Sequence, residues 1–431
     1  MRTRRSASTA TRVAKTVELT VDALGDQGDG IGRYNGVPVF VPLGVPGDRV
    51  RVALGSRRGD AHEGRIVEWV EASARRAEPA CRHFGRCGGC TLQQLTPEDY
   101  RAVKLGALDA TLRRVGIDPA IVAPLRTVPP ARRRARLGIA RPQNPDARTL
   151  IGFRRQFGHQ LIDLAECPVL EPGLFAVVEP LRRIAPDLLA PGATAEAMLT
   201  RCDSGIDLLV VHAHPPSLVA LEVLAAFAAE RDLARIMWRA AGNDFPVVER
   251  RPARMIFSGT RVALPPGAFL QPSAAAEAIL VEEVAAAIGE RRPALDLYAG
   301  LGTFALALAA AGPVHAVEGD AAAVAALAQA AGRLPHVTVE RRDLDHDPLT
   351  GNELARYAAA VFDPPRAGAA RQAAALAGSL IETVVAVSCN PATFARDAAR
   401  LVAGGYRLEH VRPIDQFVWT PHLELVGVFR R

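Results

Sequence analysis

The sequence predicts a multidomain α/β protein. An N-terminal OB-like β barrel is followed by a central mixed α/β domain and a C-terminal doubly wound, Rossmann-like domain. Three observations carry this. Short alternating apolar runs separated by Gly/Asp turns fill residues 16–72. Cysteines gather in CRHFGRCGGC, Cys81 to Cys90. From residue 263 onward, apolar strand-like runs alternate with Ala-rich helical runs. The 431 residues are 49% hydrophobic, enough for several cores.

Residues 1–15 carry Arg2, Arg4, Arg5, Arg12 and Lys15 and no acid, so a basic disordered tail is expected there. An organelle-targeting leader reads similarly. The net charge is +6, and Lys15 and Lys104 are the only lysines. Arginine's planar fork suits phosphates and stacks on bases, which suggests a polyanionic partner. A biased genomic composition gives the same signal. The uncharged passage Leu297–Val317 is broken by Gly300, Gly302, Gly312 and Pro313, so no membrane span is expected. Six cysteines are too few for a disulfide framework in so long a chain. A cytoplasmic protein with metal-binding or catalytic thiols is the expectation.

In the barrel, TVELTV, GVPVFVPL, DRVRVAL and EGRIVEWV read as strands, with GDQGDGIG and RYNG as turns. The spacing is that of an OB-like barrel, a shape often used for nucleic acids. The central domain spans residues 73–262. Cys81, Cys87 and Cys90 have C-x5-C-x2-C spacing, and Cys167 in LAECPVL is the candidate fourth ligand. Four thiolates hold a [4Fe–4S] cluster or a structural zinc. Cys202 is left over as a buried small residue. A helix is expected near residues 97–116, and RRRARLGIA is a basic run leading into a strand.

The last domain spans residues 263–431. DLYAGLGTFA turns the first strand into the first helix, with Gly300 and Gly302 permitting a tight turn and close approach of a ligand. Glu318 ends the next strand, where a carboxylate can take both hydroxyls of a ribose. Gly300, Gly302 and Ala305 equally fit a nicotinamide site, so a dehydrogenase stands as a rival. The later strand ends decide. Asp343, Asp363 in FDPPR and Cys389 in VSCNP close the third, fourth and fifth strands. Such ends line the ligand crevice. A dehydrogenase needs no thiol there.

A thiolate suits one task well. Added to C6 of uracil, it makes C5 an enolate carbon that attacks an electrophilic methyl group; a base then removes the C5 proton and the thiol leaves. Cys389 would be the nucleophile, Asp363 would orient the base, and Glu424 in TPHLELV would abstract the proton. His422 lies two residues before Glu424, on the same strand face. What activates Cys389 stays open, with Arg366 one possibility.

Together these residues resemble the uracil-5 RNA methyltransferases that use S-adenosylmethionine. DLYAGLGTF is similar to that family's cofactor loop, FDPPRAG to its fourth-strand motif, SCNPATFARD to its nucleophile motif and IDQF…TPHLELV to its closing motif. GAFLQPS is similar to the segment whose glutamine contacts the cofactor. The resemblance implies a cofactor site of Gln271, Tyr298, Gly300, Gly302, Thr303, Glu318, Asp343 and Asp363, with Cys389 as nucleophile and Glu424 as base. Ser273, Thr303, Val418 and Trp419 depart from its usual pattern. Residues 16–72 resemble a TRAM domain, an RNA-binding module. Related enzymes carry a [4Fe–4S] cluster on the cysteine pattern, which favours iron–sulfur over zinc for Cys81, Cys87, Cys90 and Cys167. Barrel plus cluster implies the 23S ribosomal RNA subgroup. A tRNA-directed enzyme, or a non-catalytic RNA-binding protein on the same fold, are the alternatives. The expected partner is RNA, with no membrane and no obligate protein partner.

Overall fold

The computed structural model describes residues 15–431 except Phe157. All but Lys15 of the basic tail expected over residues 1–15 therefore lies outside the described residues. Two compact units emerge. One comprises residues up to Pro79 together with Thr91–Gly106; the other comprises Ala80–Cys90 and Ala107–Arg431.

In the first unit, strands β1 (Thr16–Leu24), β2 (Gly30–Tyr34), β3 (Val37–Val41), β4 (Arg49–Arg58) and β5 (Ala61–Glu71) close into a barrel in the order β1-β2-β3-β5-β4. The two-residue period of a strand turns Val17, Leu19 and Val21 inward, against Val39, Val41, Val50 and Val52. Asp48 of the PGD turn is fully buried and ties the chain together. It accepts from the Val45 and Ser73 backbone N–H groups at 2.6 and 2.8 Å and from Arg76 at 3.0 Å. Helix α1 (Pro97–Arg114) follows.

In the second unit, β6 (Arg126–Thr127) precedes β7 (Arg134–Ala140) and β8 (Leu150–Gly152). Helices α2 (Pro172–Phe175) and α3 (Val178–Leu188), strands β9 (Thr194–Cys202) and β10 (Gly205–His212), helix α4 (Leu218–Glu230) and strands β11 (Arg235–Ala240) and β12 (Asn243–Glu249) come next. Six of these strands form a sheet in the order β12-β11-β10-β9-β7-β8. Leu137, Ile139, Leu199, Leu208 and Trp238 of its strands pack against Leu181 and Ala185 of α3 and Leu224 and Phe227 of α4.

A hairpin of β13 (Arg254–Phe257) and β14 (Thr260–Ala263) leads to α5 (Ala274–Ile288). The rest alternates: β15 (Ala294–Leu297), α6 (Thr303–Leu308), β16 (Val314–Glu318), α7 (Ala321–Ala331), β17 (Val337–Arg341), α8 (Gly351–Leu354), β18 (Ala359–Phe362), α9 (Ala370–Ala377), β19 (Thr383–Ser388), α10 (Pro391–Ala403), β20 (Arg407–Asp415) and β21 (Glu424–Arg430). The eight-stranded sheet runs β17-β16-β15-β18-β19-β21-β20-β6. Both faces are covered. Ala294, Val361 and Val385 meet α5, α6 and α7 on one side; Leu295, Phe362 and Val384 meet α9 and α10 on the other. This explains why the strands read as continuous apolar runs.

Two features differ from the sequence expectation. The sheet is not parallel throughout: β21 runs antiparallel to both β19 and β20. Only residues 416–423 join β20 to β21, too few for the crossover that a parallel neighbour needs. Residues expected in the central domain also serve the last sheet. Strand β6 pairs with its edge, and Leu108 and Leu112 of α1 enter its core. The hairpin β13–β14, on either side of the expected boundary at 262/263, buries Met255, Phe257 and Val262 there too.

Candidate active site

The basic run that opens β7 sets the first wall of the site. Arg133 is buried, donates to the Gln271 carbonyl at 2.9 Å and pairs with Glu277 of α5. Arg134 donates to the Gly267 carbonyl at 2.9 Å, and Arg235 and Arg239 hold the carbonyls of Leu264 and Pro266 at 2.8 and 3.0 Å. Four guanidinium groups thus pin residues 264–271 and deliver Gln271 to the end of the eight-stranded sheet. Ser273 caps α5, accepting from the Ala276 N–H at 3.3 Å.

The second wall is the loop after β15. Gly300 and Gly302 both take positive φ (55° and 89°). A Cβ on Gly302 would lie 2.5 Å from Leu327 Cδ1, whereas one on Gly300 would meet open space. Glu318 Oε2 accepts from the Gly300 N–H at 2.8 Å. Thr303 opens α6 behind Gly302. Tyr298 also has positive φ and donates to Asp345 at 2.9 Å. Asp343 lies two residues beyond the end of β17, is exposed, and bonds His346 at 2.9 Å. Sequence reasoning passed over Asp296, on β15 itself. It is fully buried, one oxygen accepts from the Ala305 N–H at 2.7 Å, and the other has no partner among the described residues. Burial, with Asp363 and Glu318 nearby, pushes its carboxyl well above the ordinary range.

The reactive groups meet where β18, β19 and β21 end. Ser388 on β19 pairs with Leu425 on β21, so continuing the register sets Cys389 against Glu424. Gln271 donates to Asp363 at 3.0 Å. Gln416, just past β20, donates to Gln271 Oε1 at 3.0 Å and to Glu424 Oε2 at 2.5 Å. Arg366 reaches His422 at 3.5 Å. Gln416 was also missed from the sequence; its place in IDQF, two residues past the Ile414 that pairs with Glu424, is the signal that could have found it.

Electrostatics follow from enclosure. Glu424 is 2% exposed, and burial together with Asp363 raises it well above the usual carboxylate range. Burial pushes Asp363 up to about 7, with the Gln271 amide opposing. Burial, then Glu424 and Asp363, push the Cys389 thiol up to about 11; Arg366 acts in the opposite direction without prevailing. Two carboxyls and a thiol in one dry crevice resist carrying several negative charges together. The crevice therefore favours a cation.

Two of the three cysteines of residues 81–90 lie near Cys167. Cys81, Cys87 and Cys167 lie close enough to feel one another's charge, and Arg132 feels both Cys167 and Cys90. The His83 ring accepts from the Ala165 N–H at 3.0 Å, and Glu166 accepts from the Arg82 N–H at 2.5 Å, which docks the loop. Among the described residues no group of three or more His, Cys, Asp or Glu is placed to hold a metal ion. Cys202 is buried, beside Ser204 at 3.3 Å. Among the described residues no helix is long and apolar enough to cross a membrane.

The chain is similar to known proteins over nearly its whole length. Residues 260–431 match the family model for tRNA (uracil-5-)-methyltransferase, and residues 10–54 match that of the TRAM domain. An RNA methyltransferase of Brucella suis is 41% identical over 422 residues, spanning 97% of this chain and 99% of that protein. The 23S rRNA (uracil(1939)-C(5))-methyltransferase of Chromohalobacter salexigens is 37% identical, spanning 100% of this chain and 93% of that protein. Among solved structures, the Pyrococcus abyssi tRNA (uracil-54, C5)-methyltransferase bound to S-adenosyl-L-homocysteine has the same fold. Its TM-score is 0.71 at 24% identity, with 96% of this chain and 100% of that chain covered.

Proposed function

The chain belongs to the S-adenosylmethionine-dependent RNA (uracil-5-)-methyltransferases, and from that premise we propose that it methylates C5 of a uridine in 23S ribosomal RNA through a covalent adduct on Cys389. The observation that carries this is the convergence of Cys389, Glu424, Asp363 and Gln271 at one sheet end, facing the Gly300–Gly302 loop.

The residues fit the cofactor. The unpartnered oxygen of Asp296 suits its ammonium group, the open space beside Gly300 admits its backbone approach, and Glu318 suits its ribose. Tyr298, Thr303 and Asp343 complete this side. When bound, S-adenosylmethionine supplies an electrophilic methyl group. The chain's own residues do the rest. The Cys389 thiolate adds to C6 of the uracil, moving electron density to C5 and O4. Gln271 and Asp363 hold the polar edge of the ring. Once C5 has gained its methyl group, the Glu424 carboxylate takes the C5 proton. The S–C6 bond then breaks and returns the thiolate. Both Cys389 and Glu424 are present, which argues against a non-catalytic RNA-binding role.

Cys81, Cys87, Cys90 and Cys167 would hold a [4Fe–4S] cluster, with zinc the lesser fit. The support is the C-x5-C-x2-C spacing, with Cys81, Cys87 and Cys167 within one another's electrostatic reach. Such a cluster would fasten the loop of residues 81–90 to the middle of the chain. The 23S preference is supported by the barrel, the cysteine loop and the Chromohalobacter relative. A cytoplasmic location is inferred from the RNA substrate.

The test incubates unmodified 23S rRNA and tRNA with methyl-labelled cofactor. Label in the 5-methyluridine of rRNA is expected. Label on tRNA alone overturns the 23S assignment, and unchanged transfer by Cys389→Ala overturns the covalent mechanism.

A further inference from the structure

Away from the crevice, the central sheet carries a groove of about 1320 Å³. It exceeds the roughly 300–1000 Å³ of small-molecule pockets, which points to a polymer as its occupant. It crosses the ends of β10, β9, β7 and β8, where His212, Glu196, Gly138 and Gly152 line it. Four strands at about 4.8 Å spacing make a trough on the order of 14 Å across.

One wall is a short hairpin finger. Arg155 donates its N–H to the Gln160 carbonyl at 2.7 Å, and Arg154 bridges Leu161. The Gly88 N–H donates to the Arg154 carbonyl at 2.9 Å, and Cys87 bridges Arg155, so the finger is clamped by backbone to the cysteine loop. This leaves the side chains of Arg154, Arg155 and His159 exposed along the groove. No carboxylate pairs with Arg154 or Arg155 among the described residues, whereas Arg136, on the floor, pairs with Glu196 at 3.6 Å.

We propose that this groove binds a single-stranded segment of the substrate RNA flanking the target uridine, with Arg154 and Arg155 on its phosphates. The proposal rests on the RNA methyltransferase reading and adds a second place where substrate is held. An extended trough edged by two uncompensated arginines suits a phosphodiester backbone. Splayed, unpaired nucleotides are also the form in which a target base becomes accessible.

The test uses the full-length protein and a fluorescent fragment of 23S rRNA containing the methylated uridine. For Arg154→Ala/Arg155→Ala, affinity should fall about tenfold. The slope of log affinity against log salt should become shallower by about 1.4, at roughly 0.7 per lost phosphate contact on a single strand. S-adenosylhomocysteine binding by calorimetry should be unaltered. The control, Arg183→Ala/Arg407→Ala, removes two exposed arginines elsewhere and should keep the wild-type slope. Wild-type affinity and slope in the groove variant overturn the proposal. So does an equal loss in the control, or displacement of the RNA by polyglutamate. A wild-type protein that neither binds nor methylates RNA overturns the methyltransferase reading itself, and the groove with it.

Discussion

Gln416 donates its side-chain amide to Glu424 Oε2 across 2.5 Å. The same nitrogen reaches Gln271, so one buried amide joins Glu424, the proposed base, to the residue that grips Asp363. A hydrogen bond to a charged group contributes about 1.5–3 kcal/mol. Gln416→Met should therefore slow turnover roughly 10- to 100-fold. Because the base is what is misplaced, the RNA–protein adduct should accumulate as a denaturation-resistant band on gels. Slow turnover without that band would place Gln416 outside the proton-abstraction step.

Glu424 also bears on the nucleophile. In the ligand-free protein Cys389 is pushed up to about 11, so its alkylation by iodoacetamide should be slow at neutral pH and climb steadily as pH rises toward that value. Glu424→Gln removes a negative neighbour and should speed alkylation at pH 8 several-fold while halting methyl turnover. Mass spectrometry of the Cys389 peptide checks the first effect, and labelled cofactor the second.

Asp363 gives stability a pH dependence with a definite sign. Its folded carboxyl sits at about 7 against an ordinary value of 3.8. The folded state therefore holds a proton that the unfolded chain has released. Stability is fully present below about pH 4 and declines as pH rises toward 7. Asp363→Asn lacks this decline. Its melting temperature relative to wild type should rise between pH 4 and 7 and then level off.

The cysteines divide into two classes. Anaerobically purified wild-type protein should be brown and contain iron and sulfide. Cys167→Ser should lose the colour and most of the iron. Cys202→Ser, at a buried site beside Ser204, should keep both. A colourless wild-type protein with one bound zinc would return the loop to a structural zinc site.

Much of this was legible because strand ends in a doubly wound sheet are readable as punctuation. Glu318, Asp363 and Cys389 each terminate an apolar run, and a polar residue there has few structural uses. Glu424 was harder. Spacing alone could not tell a solvent-facing strand residue from a buried one, since its enclosure depends on β21 running between two neighbours. Gln416 and Asp296 escaped for related reasons. One acts from a loop by bridging Glu424 to Gln271, far away in sequence; the other sits inside the apolar run DLYAG. The basic run ahead of β7 told nothing of its partners: Arg133 and Arg134 are taken up by backbone carbonyls and Glu277.

The strand that carries Glu424 is the last in the chain and yet sits between β19 and β20, in the interior of the sheet. Its pairing with both neighbours joins the sheet and sets Glu424 opposite Cys389. Without β21, Cys389 has no Glu424 opposite it, and β19 and β20 are left with open edges prone to pairing with other chains. Any lesion that unseats β21 would therefore split the sheet and part Cys389 from Glu424 at the same time.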